Sequence, residues 1–388
     1  MLIEELTMRG LLSFGPDTPA LTLAPLNVLI GPNGSGKSNV IEAIGLLRSA
    51  AKELTRPIRE SPGGIGEWIW KGDPTGLASV DAVVSNLHGR QPVRHVIAFR
   101  NTGLRFELTD ERIESAEPHE GCDKRRFYYK YQNGHPVIMV SDGEPRDLQR
   151  QDVAADESIL TQRKDPDQYP VLADLAAAYA GVRIYREWQF GRTSGFRRPQ
   201  LADLPGDRLE EDFSNLGLFL NHVRSEPKAK RAMLARVRDL YDGLDDFDVR
   251  VRGGTVELFL TEGDFTIPAG RLSDGTLRYI CLLAILCDPD PPPLVCIEEP
   301  ELGLHPDMLP KLADLMVEAS SRTQIVVTTH SDVLVDALTE HPESVVVVEK
   351  HDGKTTMRRL DAAELSHWLG EYRLGQLWTR GEIGGTRW

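Results

Sequence analysis

The spacing of apolar residues changes several times along the chain, and each spacing predicts a different kind of element. Residues 1–30 contain two strand-like stretches, and the second is the uninterrupted apolar run at 26–30. A glycine-rich loop follows. After it, apolar residues recur at helical spacing, at Val40, Ile41, Ile44 and Leu47. This pattern predicts a buried strand, a loop of permissive backbone and an amphipathic helix in close succession.

Two-residue alternation dominates between residues 75 and 140 and predicts a subdomain of antiparallel strands. Its last two strands flank Asn133-Gly134, a dipeptide that favours a two-residue hairpin turn. Residues 141–170 are polar and show no clear period, helical spacing dominates from about 171 to 243, and a further hairpin with glycines at its turn follows. We expect an inserted helical lobe over residues 150–270.

After residue 270, helical segments alternate with strands that are apolar along their whole length, such as "PLVCIEE", "TQIVVTT" and "SVVVVEK". Uninterrupted apolar strands are typical of a parallel sheet that is covered on both faces. The predicted class is therefore α/β, with a mixed or parallel sheet core, an antiparallel β subdomain and a helical lobe.

Composition and charge narrow the possible partners and the compartment of the protein. The 388 residues are 40% hydrophobic and carry a formal net charge of −14, which disfavours nonspecific nucleic-acid binding over the whole surface and permits a local basic groove. The N-terminus lacks a signal-peptide pattern, and no run of about 18 apolar residues occurs, so we expect a cytoplasmic protein without membrane contact.

No CxxC pair occurs, and we interpret the cysteines as buried thiols rather than zinc ligands. They are Cys122, Cys281, Cys287 and Cys296.

The glycine loop matches the pattern G-x-x-x-x-G-K-[ST] of a Walker A motif. Glycines suit such a loop because backbone N–H groups must approach phosphate oxygens closely. The Lys37 ammonium supplies charge to the β- and γ-phosphates, and the Ser38 hydroxyl can ligate Mg²⁺. A chance glycine turn is the alternative. The predicted nucleotide-binding residues are Gly31, Pro32, Asn33, Gly34, Ser35, Gly36, Lys37, Ser38 and Asn39.

Two later strands end in side chains that phosphate chemistry requires. The strand "LVCI" leads into Glu298 and Glu299, the form of a Walker B segment, in which one carboxylate holds Mg²⁺ and the next orients or deprotonates the attacking water. A strand ending in solvated acids is the alternative. The strand "IVVTT" delivers His330, where a contact with the γ-phosphate is expected.

The segment "RLSDG" precedes a strongly apolar helix and places Ser273 where it can cap that helix. Taken alone, this is an ordinary N-cap. The functional alternative is an anion site at the helix N-terminus.

The order of these four motifs resembles that of ATP-binding cassette (ABC) ATPases of the SMC/RecF type, including compact ATPases related to the overcoming-lysogenisation-defect proteins. The resemblance implies one ABC-type P-loop NTPase domain over residues 1–388. Within it, 1–50 and 270–388 form the nucleotide-binding core, 75–140 the antiparallel subdomain, and 150–270 the lobe that leads to the signature motif.

The resemblance also implies roles for single residues. Glu298 is the Walker B ligand of Mg²⁺, Glu299 the catalytic base and His330 the switch histidine. In this family the signature motif binds ATP held by a second subunit, so a homodimer formed across ATP is expected, with ATP and Mg²⁺ as cofactors. The signature residues here are Ser273, Asp274 and Gly275.

The chain departs from the family pattern in three places. Glu298 stands where Asp is more usual, and the signature reads Ser-Asp-Gly rather than Ser-Gly-Gly. The Q-loop glutamine is left open between Gln162 and Gln189. The segments "GEWIWKG" and "LGQLWTRGEIGGTRW" also resemble the compact relatives, without an assigned chemistry.

We expect an ATP-driven dimerisation switch that acts in DNA maintenance or repair, or in anti-phage defence. The alternative is an ATP-binding regulatory scaffold with slow turnover that controls a separate effector protein. A nuclease within the chain is disfavoured because residues 331–388 contain no Asp-x-Asp. A transporter ATPase is disfavoured because Lys37 and Ser273 lie far apart in sequence.

Basic segments leave DNA open as a partner. They could contact a phosphate backbone, and a solvated helical face is the alternative. Their members are Arg192, Arg197, Arg198, Lys228, Lys230, Arg231, Arg236 and Arg238.

Overall fold

The structure is a computed structural model. It describes residues 1–85, 91–118, 125–132, 134–141, 143–149, 153–186, 188–192, 194–238 and 243–386. Cys122 and Asn133, which entered the sequence predictions, lie outside the described residues.

The strands, in chain order, are β1 (Ile3–Arg9), β2 (Leu21–Thr22), β3 (Leu26–Ile30), β4 (Leu77–Val84), β5 (Val93–Thr102), β6 (Arg105–Ser115), β7 (Phe127–Gln132), β8 (His135–Met139), β9 (Pro145–Asp147), β10 (Arg183–Tyr185), β11 (Gln200–Leu201), β12 (Leu244–Arg252), β13 (Thr255–Glu262), β14 (Phe265–Pro268), β15 (Leu294–Glu298), β16 (Gln324–Thr328), β17 (Val345–His351) and β18 (Lys354–Arg359).

The α-helices are α1 (Lys37–Ala50), α2 (Arg56–Glu60), α3 (Ile65–Trp68), α4 (Ile159–Gln162), α5 (Pro170–Gly181), α6 (Leu216–Ser225), α7 (Pro227–Arg238), α8 (Asp274–Leu286), α9 (Leu309–Ala319), α10 (Asp332–Asp336), α11 (Ala362–Leu369) and α12 (Leu374–Thr379). Short 3₁₀ turns lie at Gly195–Arg197, Ala269–Arg271, Pro306–Met308 and Pro342–Ser344.

The chain divides into two compact units. Unit 1 comprises residues 1–182, 343–364 and 381–388, and unit 2 comprises 183–342 and 365–380. The motif-based division into a core, a β subdomain and a helical lobe stays a prediction.

An antiparallel sheet forms a large part of unit 1, in the strand order β2-β1-β4-β5-β6-β7-β8-β9. Buried and more exposed side chains alternate along β4, which is the period-two pattern that predicted this sheet. The hairpin of β7 and β8 pairs Gln132 with His135. The antiparallel strands predicted for this region are confirmed.

The remaining strands of unit 1 carry the glycine loop. Strand β3 pairs in parallel with β17, and β17 pairs antiparallel with β18. All five residues of β3 are buried, which accounts for its uninterrupted apolar run. Helix α1 follows the loop and contacts α2, α4 and α5. The side chains that gave α1 its helical spacing are buried: Val40, Ile41, Ile44 and Leu47.

Unit 2 contains a parallel sheet of β10, β15 and β16, in that order. It also contains an antiparallel sheet in which β13 pairs with β11, β12 and β14. The sequence predicted only the β12–β13 hairpin in this region. Strands β11 and β14 have two and four residues, too few to show an alternating pattern.

Among the described residues, none of the helices combines the length and the apolar character that spanning a membrane would require.

Candidate functional site

The glycine loop of unit 1 connects β3 to α1 through tightly packed backbone. Gly31 and Gly36 have φ angles of 149° and 107°, in the region that favours glycine. A Cβ at Gly31 would overlap the carbonyl oxygen of Val348, and a Cβ at Gly36 would lie 2.6 Å from Ser13 Oγ. Close packing and backbone conformation therefore both require glycine at these positions.

Lys37 folds back into the loop. The residue is 6% exposed, and its Nζ donates hydrogen bonds to the carbonyl oxygens of Gly31 at 2.8 Å and Pro32 at 3.0 Å. The next residue, Ser38, is exposed. The loop thus wraps around one ammonium group and leaves one hydroxyl open at its end.

The residues of the loop fit a bound triphosphate. Helix α1 begins at Lys37, and in the described chain no side chain caps its N-terminus. The first N–H groups of a helix lack intrahelical acceptors, and a phosphate supplies them. The Ser35 hydroxyl is also buried without a hydrogen-bond partner among the described residues. These donors, with Ser38 as a ligand for Mg²⁺, suit a phosphate chain and its metal ion.

A chain of hydrogen bonds fastens the loop from behind. Asn39 Nδ2 donates to Ser13 Oγ at 2.7 Å, and Thr355 Oγ1 donates to the carbonyl oxygen of Ser35 at 2.7 Å. Ser13 Oγ and Thr355 Oγ1 are 2.7 Å apart. Because Thr355 has a single hydroxyl proton and a carbonyl can only accept, Ser13 must donate to Thr355. Sequence analysis missed this pair, whose members are 342 positions apart.

The aromatic segment "GEWIWKG" contacts the hairpin of β17 and β18, which also carries Thr355. The backbone N–H of Trp70 donates to the carbonyl oxygen of Gly10 at 2.9 Å, and Trp70 Nε1 donates to that of Gly353 at 3.2 Å. Gly353 lies in the turn between β17 and β18, next to the strand that supplies Thr355. The segment therefore has a structural role behind the glycine loop.

In unit 2, the adjacent ends of β15 and β16 bring the predicted catalytic pair together. Glu298, half-buried, pairs with Thr328 in the parallel register. The next residue, Glu299, has φ of 46°, a conformation that costs a non-glycine residue about 1–3 kcal/mol. The Glu299 carboxylate lies 3.7 Å from His330 Nε2, and the two side chains are 40% and 36% exposed. This arrangement leaves a carboxylate and an imidazole accessible at one strand edge.

Glu301 holds the histidine loop. Its Oε1 accepts hydrogen bonds from the His330 backbone N–H and from Thr329 Oγ1, both at 2.8 Å. Burial raises the pKa of Glu301, and these hydrogen bonds oppose the rise. The sequence showed Glu301 beside the Walker B acids, but nothing there indicated its contact with the strand that ends at His330.

Arg278 and Trp188 hold the backbone around Glu299. Arg278 Nη2 donates to the carbonyl oxygen of Glu299 at 2.8 Å, and Trp188 Nε1 donates to that of Glu298 at 2.8 Å. The Arg278 guanidinium lies 4.2 Å from the centre of the Trp188 ring. Burial lowers the pKa of Arg278 to about 10. The sequence feature that could have indicated this contact is an arginine within the largely apolar helix α8.

The predicted signature residues lie at the start of α8. Ser273 Oγ accepts a hydrogen bond from the Thr276 backbone N–H at 3.0 Å, so it is the N-cap. Asp274 forms an ion pair with Arg197. A Cβ at Gly275 would lie 2.7 Å from the carbonyl oxygen of Gly303, which explains glycine at this position.

The basic segments are partly neutralised within the chain. On α7, Lys230 lies 3.3 Å from an Asp246 carboxylate oxygen, and Arg236 lies 2.7 Å from a Glu318 carboxylate oxygen. Arg197 is largely buried, which makes it unsuited to the DNA contact considered for it. Exposed basic residues remain at Arg192, Arg198, Lys228, Arg231 and Arg238.

The structure leaves the Q-loop glutamine unassigned. The Gln162 side chain makes local hydrogen bonds: it accepts from the Ala154 backbone N–H and donates to the carbonyl oxygen of Ser158. Gln189 is exposed. In unit 1 the structure brings together residues 31–39, and in unit 2 it brings together the acidic pair and His330.

The fold and these motifs define an ABC-type P-loop ATPase of the SMC/RecF-like branch, related to the overcoming-lysogenisation-defect proteins. A Smc head domain from Pyrococcus furiosus, bound to the C-terminal domain of ScpA, aligns with a TM-score of 0.58 at 14% identity, over 96% of this chain and 99% of that chain. A Smc head bound to the C-winged helix domain of ScpA aligns with a TM-score of 0.52 at 15% identity, over 94% and 99%. The predicted fold class is confirmed.

The chain belongs to the family described as "AAA domain, putative AbiEii toxin, Type IV TA system", whose model matches residues 26–336. It is 34% identical to the DNA replication and repair protein RecF of Limosilactobacillus fermentum over 28% of this chain and 26% of that protein. It is 21% identical to the Old nuclease of Escherichia phage P2 over 87% of this chain and 58% of that protein. The chain thus matches less than two thirds of either relative.

Proposed function

We propose that this protein binds ATP with Mg²⁺ at residues 31–39, hydrolyses it, and works as an ATP-driven switch. The observation that carries the proposal is the glycine loop folded around Lys37 Nζ, with packing that excludes a Cβ at Gly31 and Gly36. Membership of an ATPase family and the fold shared with Smc heads support it.

Each predicted site residue has a chemical role in this proposal. Backbone N–H groups of the loop and the Lys37 ammonium bind the phosphates. Ser38 and, in the Walker B role, Glu298 would be the ligands of Mg²⁺, which would offset phosphate charge.

Glu299 acts as the general base. It takes a proton from water while the water oxygen bonds to the γ-phosphorus and the bond to ADP breaks. His330 contacts the γ-phosphate. The strained backbone at Glu299 is the kind of feature that accompanies functional positions.

The working assembly is a homodimer formed head-to-tail across ATP. The start of α8 in one copy, with Ser273, Asp274 and Gly275, binds the γ-phosphate of ATP held by the other copy. Ser273 Oγ can donate its proton to phosphate while it still accepts from Thr276. Loss of the γ-phosphate on hydrolysis then removes the ligand that joins the copies.

The relatives' names support a proposed biological setting. RecF is a replication and repair protein, and the family description names a toxin of a toxin–antitoxin system. We place this chain in DNA maintenance or repair or in anti-phage defence, in the cytoplasm, with DNA or a separate effector protein as further partners.

The test is steady-state ATP hydrolysis together with calorimetric titration of ATP, on the wild type, Glu299→Gln and the exposed control Glu340→Gln. We expect Glu299→Gln to bind ATP normally and to hydrolyse it about 10²–10⁴-fold more slowly, because only the base is lost. Glu340→Gln should match the wild type. A wild type that binds ATP and turns over no faster than Glu299→Gln would favour the regulatory scaffold, and a wild type that does not bind ATP would exclude the proposal.

A further inference from the structure

Arg197 is fastened to the start of the signature helix. Its side chain is 8% exposed, and its Nη1 donates to the carbonyl oxygens of Leu272 at 2.6 Å and Ala269 at 3.3 Å. Its Nη2 pairs with the Asp274 carboxylate. The buried Nε has no hydrogen-bond partner among the described residues. The guanidinium therefore contacts the turn before α8 and the first residue of α8 at the same time.

Asp274 creates an electrostatic problem for the proposed γ-phosphate contact. It is the first residue of α8, and its side chain is 56% exposed. A carboxylate at a helix N-terminus interacts favourably with the helix dipole. However, it offsets the positive potential that would otherwise attract an anionic ligand. It also repels a phosphate directly. Asp274 occupies the position of the first glycine in Ser-Gly-Gly, the signature sequence of the family that this chain resembles.

We propose that Arg197 is a positioning residue that neutralises Asp274, so that the N-terminus of α8 keeps a net attraction for the γ-phosphate of ATP held by a second copy. The inference rests on the proposed function. Its basis is the ion pair between Arg197 and the signature residue Asp274, combined with the burial of Arg197, which holds the guanidinium beside Asp274 and away from solvent. The role is electrostatic, and Arg197 itself does not touch the nucleotide.

The experiment measures the ATP concentration that half-saturates pairing of two copies, by light scattering in the hydrolysis-deficient Glu299→Gln parent. Added to this parent are Arg197→Gln, Asp274→Asn, the two together, and the exposed control Arg208→Gln. Thermal unfolding of each protein reports whether it is folded.

Arg197→Gln should raise the half-saturating ATP concentration about tenfold, because it leaves one negative charge at the helix terminus. Adding Asp274→Asn to it should restore pairing to within about threefold of the parent. Asp274→Asn alone should pair at least as readily as the parent, and this variant tests the inference even if Arg197→Gln does not fold. Arg208→Gln should match the parent.

Three results would overturn the inference. The first is an Arg197→Gln variant that pairs as the parent does. The second is a double variant as defective as Arg197→Gln, which would assign Arg197 only to the carbonyls of Ala269 and Leu272. The third is an Asp274→Asn variant that pairs less readily than the parent. A parent that never pairs with ATP would refute the proposed dimer, and the inference would fall with it. The parent's behaviour thus separates the two failures.

Discussion

The glycine loop of unit 1 (residues 31–39) and the acidic turn of unit 2 (residues 298–301) are held in place by different means. In the loop, a contiguous segment wraps its own carbonyl oxygens around Lys37. In the turn, the backbone at Glu299 is held by Arg278 and Trp188, which lie on other elements of unit 2. The loop supplies the acceptors for its own lysine and is fastened from outside by Ser13 and Thr355, whereas the turn takes the donors to its backbone from Arg278 and Trp188.

The two regions also differ in how charge is buried. The Lys37 ammonium has two carbonyl oxygens as acceptors. The Arg278 guanidinium lies over the rings of Trp188 and Phe190. It donates to the carbonyl oxygen of Glu299, and burial lowers its pKa to about 10. Burial raises the pKa of Glu301 in the same region. Because the proposed base lies in the turn and the proposed phosphate-binding groups lie in the loop, we expect substitutions around the turn to change catalysis more than they change ATP binding.

The largest effect on ATP binding is expected in the loop. Lys37→Ala removes the ammonium proposed to contact the phosphates and should weaken ATP binding by about 100-fold, because a hydrogen bond to a charged group contributes about 1.5–3 kcal/mol. Calorimetric titration with ATP is the measurement, and the exposed Lys52→Ala is the matched control. Wild-type affinity in Lys37→Ala would remove the loop from the nucleotide site.

The next effect should fall on turnover alone. Arg278→Met keeps an apolar contact with Trp188 but removes the donor to the Glu299 carbonyl oxygen, so Glu299 should lose its orientation. We expect hydrolysis to fall about 10- to 100-fold, with ATP affinity within about threefold of the wild type.

Trp188→Phe sharpens this test because it keeps a ring and removes only the Nε1–H donor to Glu298. It should lower turnover by a smaller factor than Arg278→Met. If both variants lose ATP affinity in proportion to turnover, the turn is not a separately held element, and the contrast between the two regions fails.

The sequence was sufficient for the α/β class, for the antiparallel strands of residues 75–140, and for the order of the motifs. It was sufficient because each of these is a local pattern of apolar spacing or glycine placement. It could not reveal the partners that hold the motifs. Thr355 lies 320 positions from Ser35, and Arg278 lies 21 positions from Glu299, so no local spacing links them. Arg197 showed a further limit, since an arginine in a basic segment can be buried against an acid.

A smaller effect is expected behind the glycine loop. Thr355→Val has nearly the same shape but leaves the Ser35 carbonyl oxygen without its donor, and should weaken ATP binding about 5- to 10-fold. Thr355→Ser keeps the hydroxyl and should bind nearly as the wild type does. Wild-type affinity in Thr355→Val would show that the hydrogen bond to Ser35 is not needed for ATP binding.

The smallest effect concerns pH. Because burial raises the pKa of Glu301, the folded protein holds that proton more tightly than the unfolded chain does. This site therefore makes the protein less stable as pH rises from the unfolded pKa, about 4.3, through the folded pKa. Glu301→Gln lacks this titration. The Tm of Glu301→Gln minus the Tm of the wild type should therefore increase as pH rises from 4 to 8. A difference in Tm that is constant over that range would contradict the expected shift.

The most direct test of the central claim, that ATP joins two copies through composite sites, is the ATP hydrolysis of a mixture of Lys37→Ala and Ser273→Arg. Each variant alone should be inactive, since one lacks the phosphate-binding ammonium and the other blocks the start of α8. In a random mixture, half of the dimers pair unlike copies, and each of these has one complete site. The mixture should therefore recover about a quarter of wild-type turnover. No recovery in the mixture, or full hydrolysis by Ser273→Arg as a monomer, would contradict the composite site.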